Sequence, residues 1–296
     1  MESQVSVAFQ IFYTVVPLIS IIGNSCIVYV TIRSRNLRSA CNIFIALLCG
    51  SDVLHMFSHY VMLSVQHFSS NQLIPRFVCI RLQFIPLFGG ALSGILIFSV
   101  AVDRLFSLYD FYYVLTKSHK RLYITLQVGT AVTFATAAII CTFFLQNSDE
   151  VICGIMDAMH GQFQTLYSTA LCLLSFFTLV TYVIFLVKVR RKSIDLNMKG
   201  IYRSLIVTSF AIVFCTLAVG FGLFVSAISH TYSDTMGLIV GISINISIAA
   251  NFFVYYVISE QYRTAINKYL YISLLKSALG LSGTKAKASV VTAIAK

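Results

Sequence analysis

Seven long apolar stretches separated by short polar loops limit what this chain can fold into. Each stretch reaches the roughly 20 residues that an α-helix needs to cross about 30 Å of hydrocarbon, where the backbone must satisfy its own hydrogen bonds. The pattern predicts spanning helices over residues 8–32, 41–66, 79–106, 121–145, 163–188, 202–228 and 235–258. The chain is 58% hydrophobic and 10% charged, as expected when most of its surroundings are lipid. We therefore predict an all-α membrane protein built as a seven-helix bundle.

Lysine and arginine are distributed unequally between the two ends of this predicted bundle. Of the 21 basic residues, all except Arg76 and Arg81 lie in the loops and tail that seven crossings place on one face. Because basic loops are retained in the cytoplasm, this face is predicted to be inside, with the N-terminus outside and the C-terminus inside. The net charge of +11 then reflects orientation in the cell membrane and attraction to anionic lipid, not nucleic-acid binding.

The parts of the chain outside the predicted spans are short. Residues 1–272 are predicted to form one membrane domain, which ends with an amphipathic segment at 260–266, and residues 273–296 to form a disordered cytoplasmic tail. The sequence shows no nucleophile paired with a base, no phosphate-binding loop and no cluster of metal ligands. We therefore expect neither enzymatic activity nor a metal centre of that kind.

Asp52 lies near the middle of the second predicted span. An ionisable side chain at this depth costs at least about 2.5 to 3.5 kcal/mol, so it is expected to face the bundle interior with a partner. Polar residues at similar depth in other spans are Asn24, Ser93, Ser247 and Asn251. Three arrangements are open: these residues donate hydrogen bonds to the carboxylate, they surround Na⁺ together with it, or a protonated Asp52 belongs to a purely structural polar cluster.

Two histidines follow Asp52 on the same helix. His55 and His59 lie three and seven positions further along, so they share its helical face and are predicted to point inward. They could sense pH, bind a polar ligand, or serve as hydrogen-bonded core residues. No third residue at metal-site spacing accompanies them, so a metal ligand set is not expected.

Two further pairs lie at opposite ends of the third predicted span. Cys79 opens it on the outer face, and Cys153 is the one cysteine of the next outer loop. Two lone cysteines in an oxidising compartment most simply form a disulfide. Asp103 and Arg104 close the same span at its cytoplasmic end.

Together these residues resemble the rhodopsin-like G-protein-coupled receptors. The resemblance rests on Gly23-Asn24, Asp52, Cys79 followed 25 residues later by Arg104 within Asp103-Arg104-Leu105, and Asn251-Phe252-Phe253-Val254-Tyr255. More narrowly, residues 33–42 and 51–55 are similar to the nematode serpentine chemoreceptors of the SRSX class.

The resemblance implies a mechanism. Asp103 would restrain Arg104 until the inner ends of spans five and six move outward and open a cavity for a heterotrimeric G protein. Tyr182 and Tyr255 would then meet and hold the open form, together with Asn251. An agonist would act through its tighter binding to that form.

The predicted function is a chemosensory receptor for a small extracellular ligand, located in the cell membrane and expected in the cilia of sensory neurons. The ligand would bind among the outer ends of the helices, where the candidate residues are His59, Arg81, Gln83, Pro86 and Asn245. Alternatives are a receptor for an endogenous neuropeptide or transmitter, a seven-helix transporter or channel with Asp52, His55 and His59 along its path, and a partner that brings another receptor to the surface.

The chain departs from the receptor pattern at several positions. Phe252 stands where the family has a proline in the last span, and Phe111 lies near the position of another family proline. The chain contains no tryptophan, so the switch role of the family's tryptophan in span six has no counterpart here.

Overall fold

The computed structural model describes residues 6–69, 71–191 and 234–270. Six of its helices contain a stretch long and apolar enough to cross a membrane. The predicted span at 202–228 and the predicted tail at 273–296 lie outside the described residues. The helices are α1 (Val7–Arg33), α2 (Ala40–Phe68), α3 (Arg76–Leu82), α4 (Phe84–Phe106), α5 (Asp110–Ser118), α6 (Lys120–Phe144), α7 (Gly161–Arg191), α8 (Asp234–Ile258) and α9 (Glu260–Tyr269), with a 3₁₀ turn at Arg35–Leu37.

The stretch predicted as one span at 79–106 is divided in the structure. The helix is interrupted at Gln83, between α3 and α4. Pro86 explains the break, because proline has no N–H to donate to the carbonyl of Leu82 and its ring crowds that group. The apolar pattern continues across this position and so gives no signal of the interruption. Its consequence is that the Gln83 side chain becomes fully buried at the joint.

Glycines allow two pairs of helices to approach closely. A Cβ atom on Gly89 of α4 would lie 2.6 Å from Cβ of Leu54 and 2.7 Å from the carbonyl oxygen of Ser51, both in α2. A Cβ atom on Gly23 of α1 would lie 2.7 Å from Cβ of Phe252 in α8. Side chains of any size at these positions would separate the helices that carry the buried polar residues.

The outer surface of α1 shows how the fold is adapted to lipid. Its exposed apolar residues recur every three or four positions and so form one stripe: Val7, Ile11, Val15, Leu18 and Ile22. In water such a continuous apolar stripe would promote association. In a bilayer it is the surface that the hydrocarbon covers, which agrees with the prediction of a membrane helix.

A small sheet and a disulfide close the outer end of the bundle. Strand β1 (Ile74–Pro75) pairs antiparallel with β2 (Glu150–Val151). Cys79 and Cys153 form a disulfide with their Cα atoms 5.3 Å apart, which confirms the predicted pairing. The Arg76 guanidinium ties the same loop down through its bonds to Asn147, Asp149, the Asp157 carbonyl and His160. The loop is therefore fastened to the start of α3 at several points.

At the cytoplasmic end, the predicted amphipathic segment forms α9. The Ser259 hydroxyl accepts a hydrogen bond from the backbone N–H of Tyr262 and so caps the helix. Tyr262, Ala265 and Ile266 are buried against the bundle. The Tyr262 hydroxyl lies 3.3 Å from Oγ1 of Thr31 in α1, so α9 is fastened to the first helix.

Candidate functional site

Asp52 is the centre of a buried polar cluster halfway through the bundle. Its side chain is 1% exposed. Ser93 Oγ of α4 donates to Asp52 Oδ1 over 2.6 Å, and Asn251 Nδ2 of α8 donates to Asp52 Oδ2 over 3.2 Å. Three helices therefore contribute to one hydrogen-bonded group, in which each carboxylate oxygen has a donor.

The other two residues proposed for this cluster are placed differently. Asn24 Nδ2 donates to Ser20 Oγ over 3.0 Å and to the carbonyl of Ile248 over 3.3 Å, so the side chain joins α1 to α8 without bonding Asp52. Asn24 Oδ1 is buried without a hydrogen-bond partner among the described residues. Ser247 is buried on α8, with no hydrogen bond to Asp52 in the part of the chain described.

The composition of this cluster fits a hard monovalent cation. The Asp52 carboxylate, the Ser93 hydroxyl and the unpartnered Asn24 Oδ1 are oxygen donors of the kind that such ions prefer. The carboxylate also has its two protein donors, so the residues form a hydrogen-bonded cluster in their own right.

Asp103 is the centre of a second buried cluster, close to the cytoplasmic face. The carboxylate is 0% exposed, and Arg104 Nη2 lies 2.8 Å from its Oδ2. The hydroxyl of Tyr112 in α5 donates to Asp103 Oδ1 over 2.8 Å, and that of Tyr123 in α6 donates to the same oxygen over 3.1 Å. The aspartate at the end of α4 thus holds its neighbouring arginine, the loop helix α5 and the start of α6.

Sequence reasoning did not identify Tyr112 and Tyr123 as members of this cluster. Burial, and next the negative charge of Asp103, raise the pKa of Tyr112 well above its ordinary value, so this hydroxyl stays protonated and donates. The chain has 16 tyrosines, many at membrane boundaries where tyrosine is common anyway. Nothing in the spacing distinguishes these two.

The two tyrosines expected to support the open form are both buried. Tyr182 of α7 is 5% exposed and Tyr255 of α8 is 3% exposed. The Tyr255 ring centroid lies 5.2 Å from that of Tyr262. Tyr255 is therefore in contact with α9, which is itself fastened to α1.

In the outer half, two of the predicted ligand residues lie in one polar layer. His59 stacks on Tyr13 of α1, with ring centroids 4.7 Å apart, and its ring lies 6.1 Å from that of His55. Asn245 of α8 is 1% exposed and donates to the carbonyl of Gly241. His55 Nδ1 is buried without a partner among the described residues. His59 Nε2 and Asn245 Oδ1 make no hydrogen bond of normal geometry there, although the two side chains lie close enough to interact with each other. The layer therefore retains unused hydrogen-bonding capacity.

The remaining three predicted ligand residues are placed elsewhere. Gln83 Nε2 donates to the carbonyls of Ser58 and Cys153 over 3.1 and 2.8 Å, which joins α2 to the outer loop. Pro86 is buried at the start of α4. Arg81 is exposed, with its guanidinium carbon 5.8 Å from the ring centroid of Phe77. Among the described residues, Arg81 is thus not directed into the polar layer.

A cavity of about 360 Å³ opens between the outer ends of α1 and α2. Most of its described lining residues are polar and uncharged, namely Gln10, Thr14, Gln66 and Gln72. The others are the apolar Leu63 and the ionisable His67. The five ligand residues predicted from the sequence are absent from this described lining. Sequence reasoning missed the cavity because glutamine at a membrane boundary carries no distinctive signal.

Three features of this structure define a G-protein-coupled receptor. They are a bundle of apolar helices, an outer disulfide from the second outer loop to the third span, and an Asp-Arg pair at the inner end of that span. Comparison with known families is more specific. The model of the serpentine type 7TM GPCR chemoreceptor Srsx family matches residues 17–270, and the chain belongs to that family. It is thus a multi-pass membrane receptor and not an enzyme.

Known receptors share shorter regions with this chain. A QRFP-like peptide receptor of Branchiostoma floridae is 24% identical over 144 residues, which are 48% of this chain and 37% of that receptor. A pyroglutamylated RF-amide peptide receptor of Rattus norvegicus is 28% identical over 104 residues, or 35% of this chain and 24% of that receptor. The chain therefore matches well under half the length of these relatives.

Proposed function

We propose that this chain is a chemosensory receptor that binds a small extracellular ligand in the outer half of the bundle and activates a heterotrimeric G protein. The observation that carries the proposal is the buried Asp103 cluster. Asp103 holds Arg104 at 2.8 Å and receives two tyrosine hydroxyls from other elements. Release of Arg104 requires this cluster to open, so the resting receptor is held by contacts that an agonist can shift.

The test is nucleotide exchange on a panel of heterotrimeric G proteins, measured without ligand in membranes that contain the full chain. Tyr112→Phe removes one donor to Asp103 and keeps the ring, so we expect higher basal exchange than in the wild type. Arg104→Ala should abolish the gain when combined with Tyr112→Phe. Equal exchange in Tyr112→Phe and in the double variant, at matched surface expression, would contradict the mechanism.

The ligand is proposed to bind at the layer formed by Tyr13, His55, His59 and Asn245. Its support is the buried Nδ1 of His55, which has no described partner, together with His59 Nε2 and Asn245 Oδ1, which make no hydrogen bond of normal geometry. Such atoms cost free energy until something bonds to them. A small molecule with both donor and acceptor groups and an apolar body fits this layer. His59→Phe, which keeps the stacking on Tyr13, is expected to weaken the response to an active compound while basal exchange stays unchanged.

Sodium binding at Asp52 is proposed as a second property of the same receptor. The Asp52 carboxylate, the Ser93 hydroxyl and Asn24 Oδ1 would hold the ion, which would neutralise the buried charge. Thermal unfolding should occur at a higher temperature in about 0.15 M NaCl, a physiological ionic strength, than in choline chloride. The difference should vanish in Asp52→Asn, and an equal difference in that variant would exclude this site.

A receptor for an endogenous peptide is the second candidate, because the curated relatives are named as receptors for RF-amide and QRFP-like peptides. We propose the chemosensory function first because the Srsx model matches far more of the chain. A tagged copy expressed from its own promoter distinguishes the two. Location in the ciliated endings of sensory neurons would support chemosensation, and location on internal neuronal, muscle or gut membranes would support the peptide function.

A further inference from the structure

A second cavity lies at the cytoplasmic end of the bundle, between the segment that precedes α5 and the end of α7. Its volume is about 360 Å³, and its described lining consists of Leu108, Tyr109, Lys188 and Arg191. Lys188 Nζ lies 4.5 Å from the ring centroid of Tyr109, a cation–π contact. The cavity thus combines two positive charges with an aromatic wall.

The charges of this cavity are not balanced by the described part of the chain. Among all described residues, the ion pairs are Arg76 with Asp149 and Arg104 with Asp103. Neither pair involves Lys188 or Arg191. The acid nearest in sequence, Asp110, begins α5, where the helix dipole stabilises a carboxylate. An anionic group in the cavity would therefore meet two cations that lack a described counter-ion.

The surface of α7 continues from this cavity into the bilayer as an apolar stripe. Val180, Val183, Ile184 and Val187 recur at helical spacing and are between 37% and 49% exposed. The two cations of the cavity follow Ile184 and Val187 by four residues each, so they lie on the same face one turn further along. One helix face changes from apolar to cationic as it leaves the hydrocarbon, which is the order of acyl chain and headgroup in an anionic phospholipid.

The neighbouring helix α5 has the surface of a helix that lies at a membrane boundary. Its residues Phe111, Tyr113 and Val114 are between 49% and 66% exposed. Exposed aromatic and aliphatic side chains on a short amphipathic helix at a membrane boundary insert into the headgroup and acyl boundary. Insertion of α5 at this boundary would place the cavity beside Tyr109 level with the phosphates of the inner leaflet.

We propose that this cavity binds an anionic phospholipid of the cytoplasmic leaflet. Lys188 and Arg191 hold the headgroup beside Tyr109, and an acyl chain lies along the α7 stripe. The bound lipid connects the end of α7 to the loop helix that carries Tyr112, which bonds Asp103. Lipid composition would thereby influence how firmly α5 is held against the bundle.

The test uses the full chain in phosphatidylcholine nanodiscs that contain a photoactivatable phosphatidylserine. We expect crosslinks to peptides that contain residues 108–109 and 188–191. Lys188→Gln with Arg191→Gln should weaken phosphatidylserine binding roughly 25-fold, at roughly fivefold for each charge. The matched control is Lys117→Gln with Arg35→Gln, which removes the same amount of positive charge. It also removes a cation–π contact, because Lys117 lies over the ring of Tyr113. Because neither Lys117 nor Arg35 is in the described lining of the cavity, this control should weaken binding much less than the Lys188 and Arg191 variant.

Several results would overturn the proposal. One is an equal loss in the control pair, and another is crosslinking that maps away from both peptides; either would mean general attraction to a basic surface. Displacement of the lipid by an equal concentration of soluble glycerophosphoserine would mean a free-anion site without an acyl component. The variant of Lys188 and Arg191 could also bind lipid as the wild type does but lose nucleotide exchange on the G protein in pure phosphatidylcholine. That result would mean that these two residues contact the G protein and not a lipid. Unfolding temperatures of all variants are compared first, so that misfolded protein is not counted.

Discussion

Near the cytoplasmic face, both carboxylate oxygens of Asp103 are occupied by an arginine and two tyrosines. Near the outer face, buried atoms of His55, Ser58 and Gln66 have no hydrogen-bond partner among the described residues. The two regions differ in how completely their buried polar atoms are hydrogen-bonded within the chain. The Asp103 carboxylate is satisfied by the chain itself, whereas the outer layer keeps polar atoms that another molecule can bond.

This contrast bears on how a receptor divides its tasks. A satisfied buried cluster is rigid and specifies one arrangement, because each lost bond exposes a full desolvation cost. A layer whose polar atoms lack hydrogen bonds lowers the stability of the ligand-free protein. A ligand that supplies those hydrogen bonds restores that stability. The inner end is therefore suited to hold a resting state, and the outer end to recognise a molecule.

The strongest test of the inner cluster is Asp103→Ala. This change leaves the largely buried Arg104 without its carboxylate, and breaking such a buried pair costs about 3 to 5 kcal/mol. We expect a large fall in unfolding temperature, measured in detergent with a thiol-reactive fluorophore, together with raised basal nucleotide exchange. Asp110→Ala, at the exposed start of α5, is the matched control. Equal unfolding temperatures for the two variants would show that the inner cluster is not the more tightly held region.

An intermediate effect is expected where the two halves meet. Gly23 touches Phe252, the neighbour of the Asn251 that bonds Asp52, and an added Cβ would lie 2.7 Å from that side chain. Gly23→Ala should therefore destabilise the fold by about 1 to 3 kcal/mol through overpacking. Gly129→Ala is the control, because nothing lies within 4 Å of its added Cβ, and it should stabilise α6 by roughly 0.5 to 1 kcal/mol. The opposite order of stabilities would contradict the close approach of α1 and α8.

The smallest effect, and one of opposite sign, is expected in the outer half. Gln66 is 8% exposed, and both polar atoms of its amide lack partners in the described residues. Gln66→Met keeps the shape and should raise stability by about 1 kcal/mol, since it removes uncompensated polar atoms. Gln83→Met should instead lower stability by about 1 to 3 kcal/mol, because it loses two buried hydrogen bonds. Chemical denaturation of the pair measures both, and loss of stability in Gln66→Met would show that this amide is satisfied after all.

Much of the fold could be predicted because hydrocarbon thickness fixes the length of an apolar run. The predicted limits of the first span, 8–32, differ by one residue at each end from α1, Val7–Arg33. The disulfide could be predicted because the outer face offers just Cys79 and Cys153. The break at Gln83 was missed, since an apolar pattern continues across a kink and Pro86 acts on the carbonyl four residues earlier.

The polar sites were harder to predict in detail. Their similar depth in the membrane indicated that Asp52, Ser93 and Asn251 are in contact, because polar side chains in hydrocarbon pair with one another. It could not indicate that Asn24 would donate to Ser20 and Ile248, since that choice depends on helix rotation. Tyr112 reaches Asp103 from a separate loop helix, and no local period relates residues on different elements.

Cys153 illustrates what two attachments to one residue mean mechanically. Its sulfur is bonded to Cys79 in α3, its carbonyl accepts a hydrogen bond from Gln83, and its backbone has a positive φ of 66°. Together with the Arg76 contacts, these two attachments fix the loop against the start of α3. Because Gln83 also holds the Ser58 carbonyl, a force applied to the loop from outside is transmitted to α2 at the residue next to His59. The outer loop is therefore mechanically connected to α2 beside the candidate ligand layer.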